Sequence, residues 1–181
     1  KMGNALNLLM NGNVFLYYGE ELGMKGSGKD ENKRAPMYWS KDGNAEGMCK
    51  GPADMDDFRM KFDSLEEQQE DPDSIYNYVK QVIRVRNQNP VIARGTTAYL
   101  EQYSGEQCFA LTRSYEGSNL LLLGNTSAEA VSVDLTGLTV GGTTAEELVL
   151  LGELYTGEET AERAGTVVTL PAYSILILGE E

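Results

Sequence analysis

Three side chains in the first forty residues are of types that could contact a ligand: Glu21, Arg34 and Trp39. Glu21 and its neighbour Glu20 directly follow the apolar run Val14-Phe15-Leu16-Tyr17-Tyr18. A carboxylate there can accept hydrogen bonds from sugar hydroxyls or from the backbone N–H groups of an adjoining loop. An indole face such as that of Trp39 stacks on sugar rings, and the fork of Arg34 orients carboxylates or hydroxyls. Each residue also has a plainer role: Glu21 as a loop organiser, Trp39 as an anchor for the long loop, Arg34 as the partner of an acidic group elsewhere. Substrate contact is assigned to Arg34, Trp39 and Glu21, and no residue is assigned as catalytic.

The composition removes several chemistries. The chain has no histidine, so Ser-His-Asp, Cys-His and histidine-metal arrangements are excluded within it. Asp54, Asp56 and Asp57, with Asp63 nearby, make an oxygen-rich cluster. Their spacing lacks the glycine and terminal glutamate of a calcium-binding loop, and they read as a solvated acidic loop. No metal site and no cofactor are expected. Cys49 and Cys108 form at most one bridge, which leaves the compartment undecided, secreted or cytoplasmic. Fifteen basic against twenty-eight acidic residues give a formal charge of -13, which repels nucleic acid and anionic lipid but not a neutral sugar. No run of eighteen apolar residues is present, so no membrane span is expected.

The elements that position these side chains follow from periodicity. Ala5, Leu6, Leu8, Leu9 and Met10 are in helical register from the outset without a cap, as expected of a segment continuing a longer chain. Asn11-Gly12-Asn13 turns the chain into Val14–Tyr18, whose continuous β-rich character predicts a strand buried on both faces. From Gly19 to Pro72, frequent glycines and polar residues predict one long loop, with Glu66–Asp71 as its exposed charged end. Asp71-Pro72-Asp73-Ser74 starts a helix carrying Ile75, Tyr78, Val79, Val82, Ile83 and Val85 on one face, and it stops by Asn87–Pro90. Burial of that face is worth on the order of 10 kcal/mol, and a lone strand is a thin partner for it.

Beyond Gly95 the texture becomes β-rich runs separated by turns: 98–103, 108–115, 119–123, 130–135, 148–155, 166–170 and 174–178. This spacing predicts an antiparallel sandwich, with the domain boundary at about Asn89 to Gly95. Tyr99, Tyr103, Tyr115, Tyr155 and Tyr173 lie on these runs, either as a sugar-stacking platform or, more ordinarily, straddling core and surface.

Two segments carry a family resemblance. Gly12-Asn13-Val14-Phe15-Leu16-Tyr17-Tyr18-Gly19-Glu20-Glu21-Leu22-Gly23-Met24 resembles the eighth-strand signature of alpha-amylases and oligo-glucosidases, a Gly-x-Pro-x-x-Tyr-Tyr-Gly-x-Glu pattern, with Asn13-Val14 departing from the usual proline. Lys33-Arg34-Ala35-Pro36-Met37-Tyr38-Trp39-Ser40 resembles the Arg-x-Pro-Met-x-Trp segment that follows it in the same enzymes, and Val167–Leu178 is similar to the closing strands of their C-terminal sandwich. The resemblance implies an α+β chain: residues 1–90 as the C-terminal portion of a (β/α)8 catalytic barrel (helix, strand, long loop, helix) and 91–181 as an all-β antiparallel sandwich.

It also implies a longer glycoside hydrolase acting on alpha-glucans, whose catalytic carboxylates lie on earlier barrel strands and have no match here, so that this chain alone is inactive. Calcium, if bound, belongs to that longer protein. The implied partner is an alpha-glucan, reached through the whole enzyme. A chain exposing a helix face and strand edges is expected to self-associate. The rival from another class is a free-standing carbohydrate-binding sandwich, which predicts affinity for maltooligosaccharides without hydrolysis.

Overall fold

The computed structural model describes residues 1–180, a mixed α and β chain with antiparallel sheets and no closed barrel among the described residues. Two compact units divide it. One comprises residues 1–14 and 81–181, the other residues 15–80.

The larger unit is organised by a run of four leucines. Leu120, Leu121, Leu122 and Leu123 are all buried, which a strand permits only where both sheet faces are covered. They lie in β3 (Ser118–Asn125), at the centre of a five-stranded antiparallel sheet. Its other strands are β1 (Thr96–Tyr99), β2 (Cys108–Tyr115), β7 (Val149–Leu154) and β10 (Ser174–Gly179), in the order β1-β2-β3-β10-β7. β2 and β3 join through Glu116 and Gly117, whose φ values of 50 and 86 suit a two-residue hairpin turn of the type that matches strand twist.

On one face Leu121 and Leu123, with Leu176 and Leu178, join a core completed by a second sheet. That sheet is formed by β4 (Val131–Asp134), β8 (Glu162–Ala164) and β9 (Val167–Leu170) in the order β4-β9-β8, and it contributes Val133, Val168 and Leu170. The sandwich reading of the second half therefore stands. A small hairpin of β5 (Thr139–Val140) and β6 (Thr143–Thr144) was not predicted, and neither was β8; two-residue strands and a charged exposed strand carry no hydrophobic alternation.

The opposite face of the five-stranded sheet is covered by helices. These are α1 (Met2–Leu8), the C-terminal half of α3 (Ile75–Gln88), and α4 (Pro90–Arg94), which begins with proline at a position that needs no N–H. Ala5, Leu8, Val82, Val85 and Ile92 are buried. A Cβ placed on Gly152 of β7 would sit 2.8 Å from Cγ1 of Val85, so the strand has a glycine where the helix approaches closely. Gln81 donates to the Glu153 carbonyl at 2.9 Å. The helix thus finds a sheet as its partner, not the lone strand that its sequence neighbourhood offered.

Two arginines close the C-terminal end of α1. Arg86 donates to the carbonyls of Leu8, Met10 and Gly12 at 2.5–2.7 Å, and Arg113 donates to Leu9 at 3.2 Å and to Ile92 at 3.3 Å. Cations are favourable against the exposed carbonyls at a helix C-terminus. Burial pulls both guanidinium pKa values below their ordinary range, and the positive charge of Arg86 lowers that of Arg113 further.

The smaller unit has two corrections, to the expected strand and to the charged loop end. Phe15–Tyr18 joins no β-ladder among the described residues, and its side chains are exposed: Phe15 is 84% accessible and Tyr17 55%. Apolar β-rich composition sets a preference, but a ladder needs strands on either side, and none is present here. The charged run at 66–71 is not a loop end. It lies in α2 (Leu65–Glu70), which Ser64 and Glu67 start with a capping box: Ser64 N–H donates to Glu67 Oε2 at 3.2 Å, and Ser64 Oγ accepts from Glu67 N–H at 3.5 Å. Gln68 is buried; its amide donates to the Leu22 and Asp63 carbonyls and accepts from Tyr76 N–H. The helix start expected at 71–74 is found: α3 begins at Ile75, Asp71 accepts from Asp73 N–H and Ser74 N–H, and Ser74 Oγ accepts from Asn77 N–H. In the larger unit, by contrast, the run expected over 98–103 leaves the ladder at Tyr99 and closes as a 3-10 turn, Glu101–Tyr103, pinned by Ser104 Oγ on the Leu100 carbonyl.

Candidate functional site

The smaller unit contains a concavity of about 410 Å3 between the Tyr17–Gly26 and Asp30–Ala35 segments. Two short 3-10 turns shape it, Glu20–Leu22 and Asp30–Arg34. Gly19 makes the first reversal with φ 89, and a Cβ there would lie 2.6 Å from Met24 Sδ, so both conformation and space call for glycine. The carboxylate of Glu20 accepts from Tyr17 N–H at 3.2 Å, and that of Glu21 accepts from Gly19 N–H at 2.7 Å.

Tyr17 and Tyr18 form the wall, their ring centroids 4.8 Å apart and tilted by 41°. Tyr18 donates its hydroxyl to the Ala35 carbonyl at 3.0 Å, which ties the strand-like run to the residue after Arg34. Desolvation, and then the adjacent Tyr17, push the Tyr18 phenol above its ordinary pKa.

Arg34 lines the concavity with its side chain half exposed, paired to Asp30 at 2.9 Å and reaching Glu31 at 3.9 Å. Beneath it Asn32 is buried and exchanges hydrogen bonds with a residue 24 positions later. Its amide donates to Asp56 Oδ2 at 2.8 Å and its carbonyl accepts from Asp56 N–H at 2.9 Å. Lys29 adds an ion pair to Asp56 at 2.7 Å. The Asp56 carboxyl is held below its ordinary pKa, first by Asn32 and then by Lys29.

Of the three sequence-derived contacts, Arg34 lines this concavity, whereas Glu21 and Trp39 do not. Glu21 stands behind it on the Gly19 turn. Trp39 is 46% exposed, and its carbonyl accepts from Glu66 N–H at the start of α2. Tyr17, Tyr18 and Asn32 are the site-building residues that sequence reasoning passed over. The paired tyrosines between Gly12 and Glu20 were their signal, lost when the run was read as a buried strand.

Among the described residues no group of three His, Cys, Asp or Glu side chains is disposed to hold a metal, and Asp56 is occupied by Asn32 and Lys29. Both cysteines are free, Cys49 exposed and Cys108 half-buried. No helix among the described residues is long and apolar enough to cross a membrane. The sandwich tyrosines are scattered in environment: Tyr103 is buried, Tyr115 and Tyr155 are intermediate, and Tyr99 and Tyr173 are exposed.

Residues 1–95, which include all of this site, match the sequence profile of the family described as alpha amylase, catalytic domain. The chain belongs to the alpha-amylase family. Across 99% of its length it superposes on Eubacterium rectale Amy13B with a TM-score of 0.92 and 43% identity, covering 34% of that protein. It is 26% identical to an alpha-amylase of Streptomyces lividans over 98% of its own length and 18% of the relative's. To a trehalose synthase of Thermus thermophilus it is 28% identical over 72% of its length and 15% of the relative's. This alpha-amylase family chain therefore spans about a third of the solved relative and under a fifth of these two curated ones.

Proposed function

We propose that the chain is the C-terminal part of a glycoside hydrolase that acts on alpha-glucans such as starch and maltooligosaccharides. In this reading residues 1–90 belong to the closing end of a (β/α)8 catalytic barrel, and residues 91–181 form the β-sandwich domain behind it. The carrying observation is the concavity at Tyr17–Ala35, which lies wholly within the segment that matches a catalytic domain.

The chain's own residues would bind and orient the glucan. Asp30 occupies one side of the Arg34 fork, which leaves other N–H donors for sugar hydroxyls. The exposed face of Tyr17 and the half-exposed indole of Trp39 offer stacking surfaces. Glu21 fixes the Gly19 turn that presents Tyr17 and Tyr18. Cleavage with retention requires two carboxyl groups about 5 Å apart across the scissile bond. Glu20 and Glu21 each give an oxygen to a backbone N–H group, and in this reading the reacting carboxylates lie elsewhere in the whole enzyme. The trehalose synthase relative supports a second outcome for the same site, transfer of the glycosyl group to a sugar instead of to water.

The test is reducing-sugar release from soluble starch by the full-length protein and by residues 1–181 alone, with Arg34→Ala and Trp39→Ala made in the full-length protein. The expected result is an active full-length protein, an inert 181-residue piece, and a raised KM in both variants. Release by the short piece overturns the reading. Maltooligosaccharide affinity without cleavage by the full-length protein moves it to a carbohydrate-binding module. The exposed Phe15–Tyr18 run also leads us to expect self-association of the isolated piece, and a monodisperse monomer in light scattering would count against that.

A further inference from the structure

Five of the seven methionines, Met24, Met37, Met48, Met55 and Met60, fall in the irregular stretch between Gly19 and Pro72, and all five are half-buried. A thioether fills irregular gaps well, but it is also the side chain that a peroxide converts to a polar sulfoxide. The surroundings of these sulfurs differ. Met60 Sδ already accepts a hydrogen bond, from Lys25 N–H at 3.3 Å, so an oxygen added there can take over the same donor. Met24 is the methionine that lines the Arg34 concavity. It closes the Gly19 turn twice: its N–H donates to the Gly19 carbonyl at 2.9 Å, and its Sδ packs so near that a Cβ on Gly19 would lie 2.6 Å away. The same turn presents Tyr17 and Tyr18, and its Gly19 N–H is taken by the Glu21 carboxylate.

We propose that Met24 is an oxidation site through which a peroxide regulates the Arg34 concavity. In the reaction a sulfur lone pair attacks one peroxide oxygen, and the O–O bond breaks as the S–O bond forms. The thioether loses two electrons, and hydrogen peroxide is reduced to water. The new oxygen is a polar acceptor beside a turn whose Gly19 N–H is already engaged by Glu21 and whose Gly19 has no room for even one added carbon. Relief comes from displacing the Met24 side chain or the turn, and either one alters the wall that Tyr17 and Tyr18 form. A sulfoxide reductase reverses the step: two thiols become a disulfide and the oxygen leaves as water, which makes the site a switch and not a lesion. That the concavity holds a glucan rests on the proposed function; the oxidation of Met24 and its effect on the turn do not.

The experiment treats the full-length protein with dilute hydrogen peroxide, follows sulfoxide at each methionine by peptide mass spectrometry, and measures KM for soluble starch on the same samples. Met24 is expected to gain one oxygen while KM rises about five- to tenfold, the loss of one binding contact, and methionine sulfoxide reductase restores the starting value. Each variant is compared with its own untreated sample. Met24→Leu is expected to show no KM response to peroxide, and Met60→Leu to respond as the wild type does. Met24 remaining reduced after Met10, which is 54% exposed, has been fully converted overturns the proposal. So does an undiminished KM response in Met24→Leu. Failure of the proposed function reads differently: the untreated protein cleaves no starch, and hydrogen exchange over 15–26 then decides the switch. Faster exchange on oxidation in the wild type but not in Met24→Leu supports it, and unchanged exchange with Met24 oxidised overturns it.

Discussion

Asn32 and Asp56 exchange two hydrogen bonds across 24 residues of otherwise irregular chain, and this pair is what gives the long loop a fixed course beneath Arg34. Asn32→Ala removes both bonds and leaves the Asp56 N–H without its acceptor, a cost of about 1–3 kcal/mol to the closed loop. Faster amide exchange across 24–60 with little change in the sandwich is the expected outcome by hydrogen-exchange mass spectrometry. Uniform acceleration over the whole chain would show that the latch is not local.

The same latch is sensitive to acid, and the sign follows from the carboxyl. Asn32 and then Lys29 hold Asp56 below its ordinary value of about 3.8, so the folded form binds the proton less readily than the unfolded one. Its contribution is complete above the ordinary value and is lost as pH falls through the lowered one. Protease sensitivity of the 24–60 loop should therefore rise below about pH 3.8 in the wild type and show no such step in Asp56→Asn.

Gly152 and Val85 make a contact that can be tested in both directions. A Cβ at 152 comes within 2.8 Å of Val85 Cγ1, and the branched side chain of Val85 has little freedom to retreat in a helix. Gly152→Ala is expected to destabilise by about 1–3 kcal/mol. Adding Val85→Ala to that variant should cost less than Val85→Ala costs alone, and additivity in denaturant titrations would rule out the contact.

Such contacts mark the limit of what the sequence discloses. The runs at 108–115 and 119–123 and the helix at 75–88 are legible because β-rich texture and a 3.6-residue stripe survive in single segments. Val14–Tyr18 has the same apolar texture as a buried strand, yet Phe15–Tyr18 stands exposed, because texture encodes a preference and not the presence of neighbours. In α2 the signal was available: Ser64 followed by Glu67 is a capping box, masked by the acidic run around it. Of the candidate site, Arg34 was readable in a motif. Tyr18 reaching Ala35, and Asn32 reaching Asp56, depend on reversals at Gly19 and beyond that no local pattern specifies.

Two of the ten tyrosines should be conspicuous in an alkaline titration. Burial pushes Tyr78 up to about 12, and burial with the neighbouring Glu153 carboxylate does the same to Tyr155. A phenol whose folded pKa is raised favours the folded state below its unfolded value near 10, and that contribution is lost as pH rises through the folded value. Absorbance at 295 nm should show Tyr78 and Tyr155 ionising only at about pH 12, and unfolding should accompany their ionisation. Tyr155→Phe should remove one phenol from the signal near pH 12.

Arg113 supplies the most direct test of how the sandwich strand β2 and helix α1 are joined. It is 3% exposed, has no carboxylate partner among the described residues, and spends its terminal N–H groups on the carbonyls of Leu9 and Ile92. Arg113→Ala leaves those acceptors without a donor and opens a cavity under β2, so a loss of about 3 kcal/mol is expected. Arg113→Lys should recover less than half of it, because one ammonium cannot span the two carbonyls as a planar fork does. The opposite outcome has a defined meaning. Burial already lowers the pKa of this guanidinium, and Arg86 beside it adds repulsion, so Arg113→Met restoring wild-type stability would show that desolvation and repulsion outweigh the two hydrogen bonds. Chemical denaturation of the three variants, with the isosteric Met as the deciding member, separates the two cases.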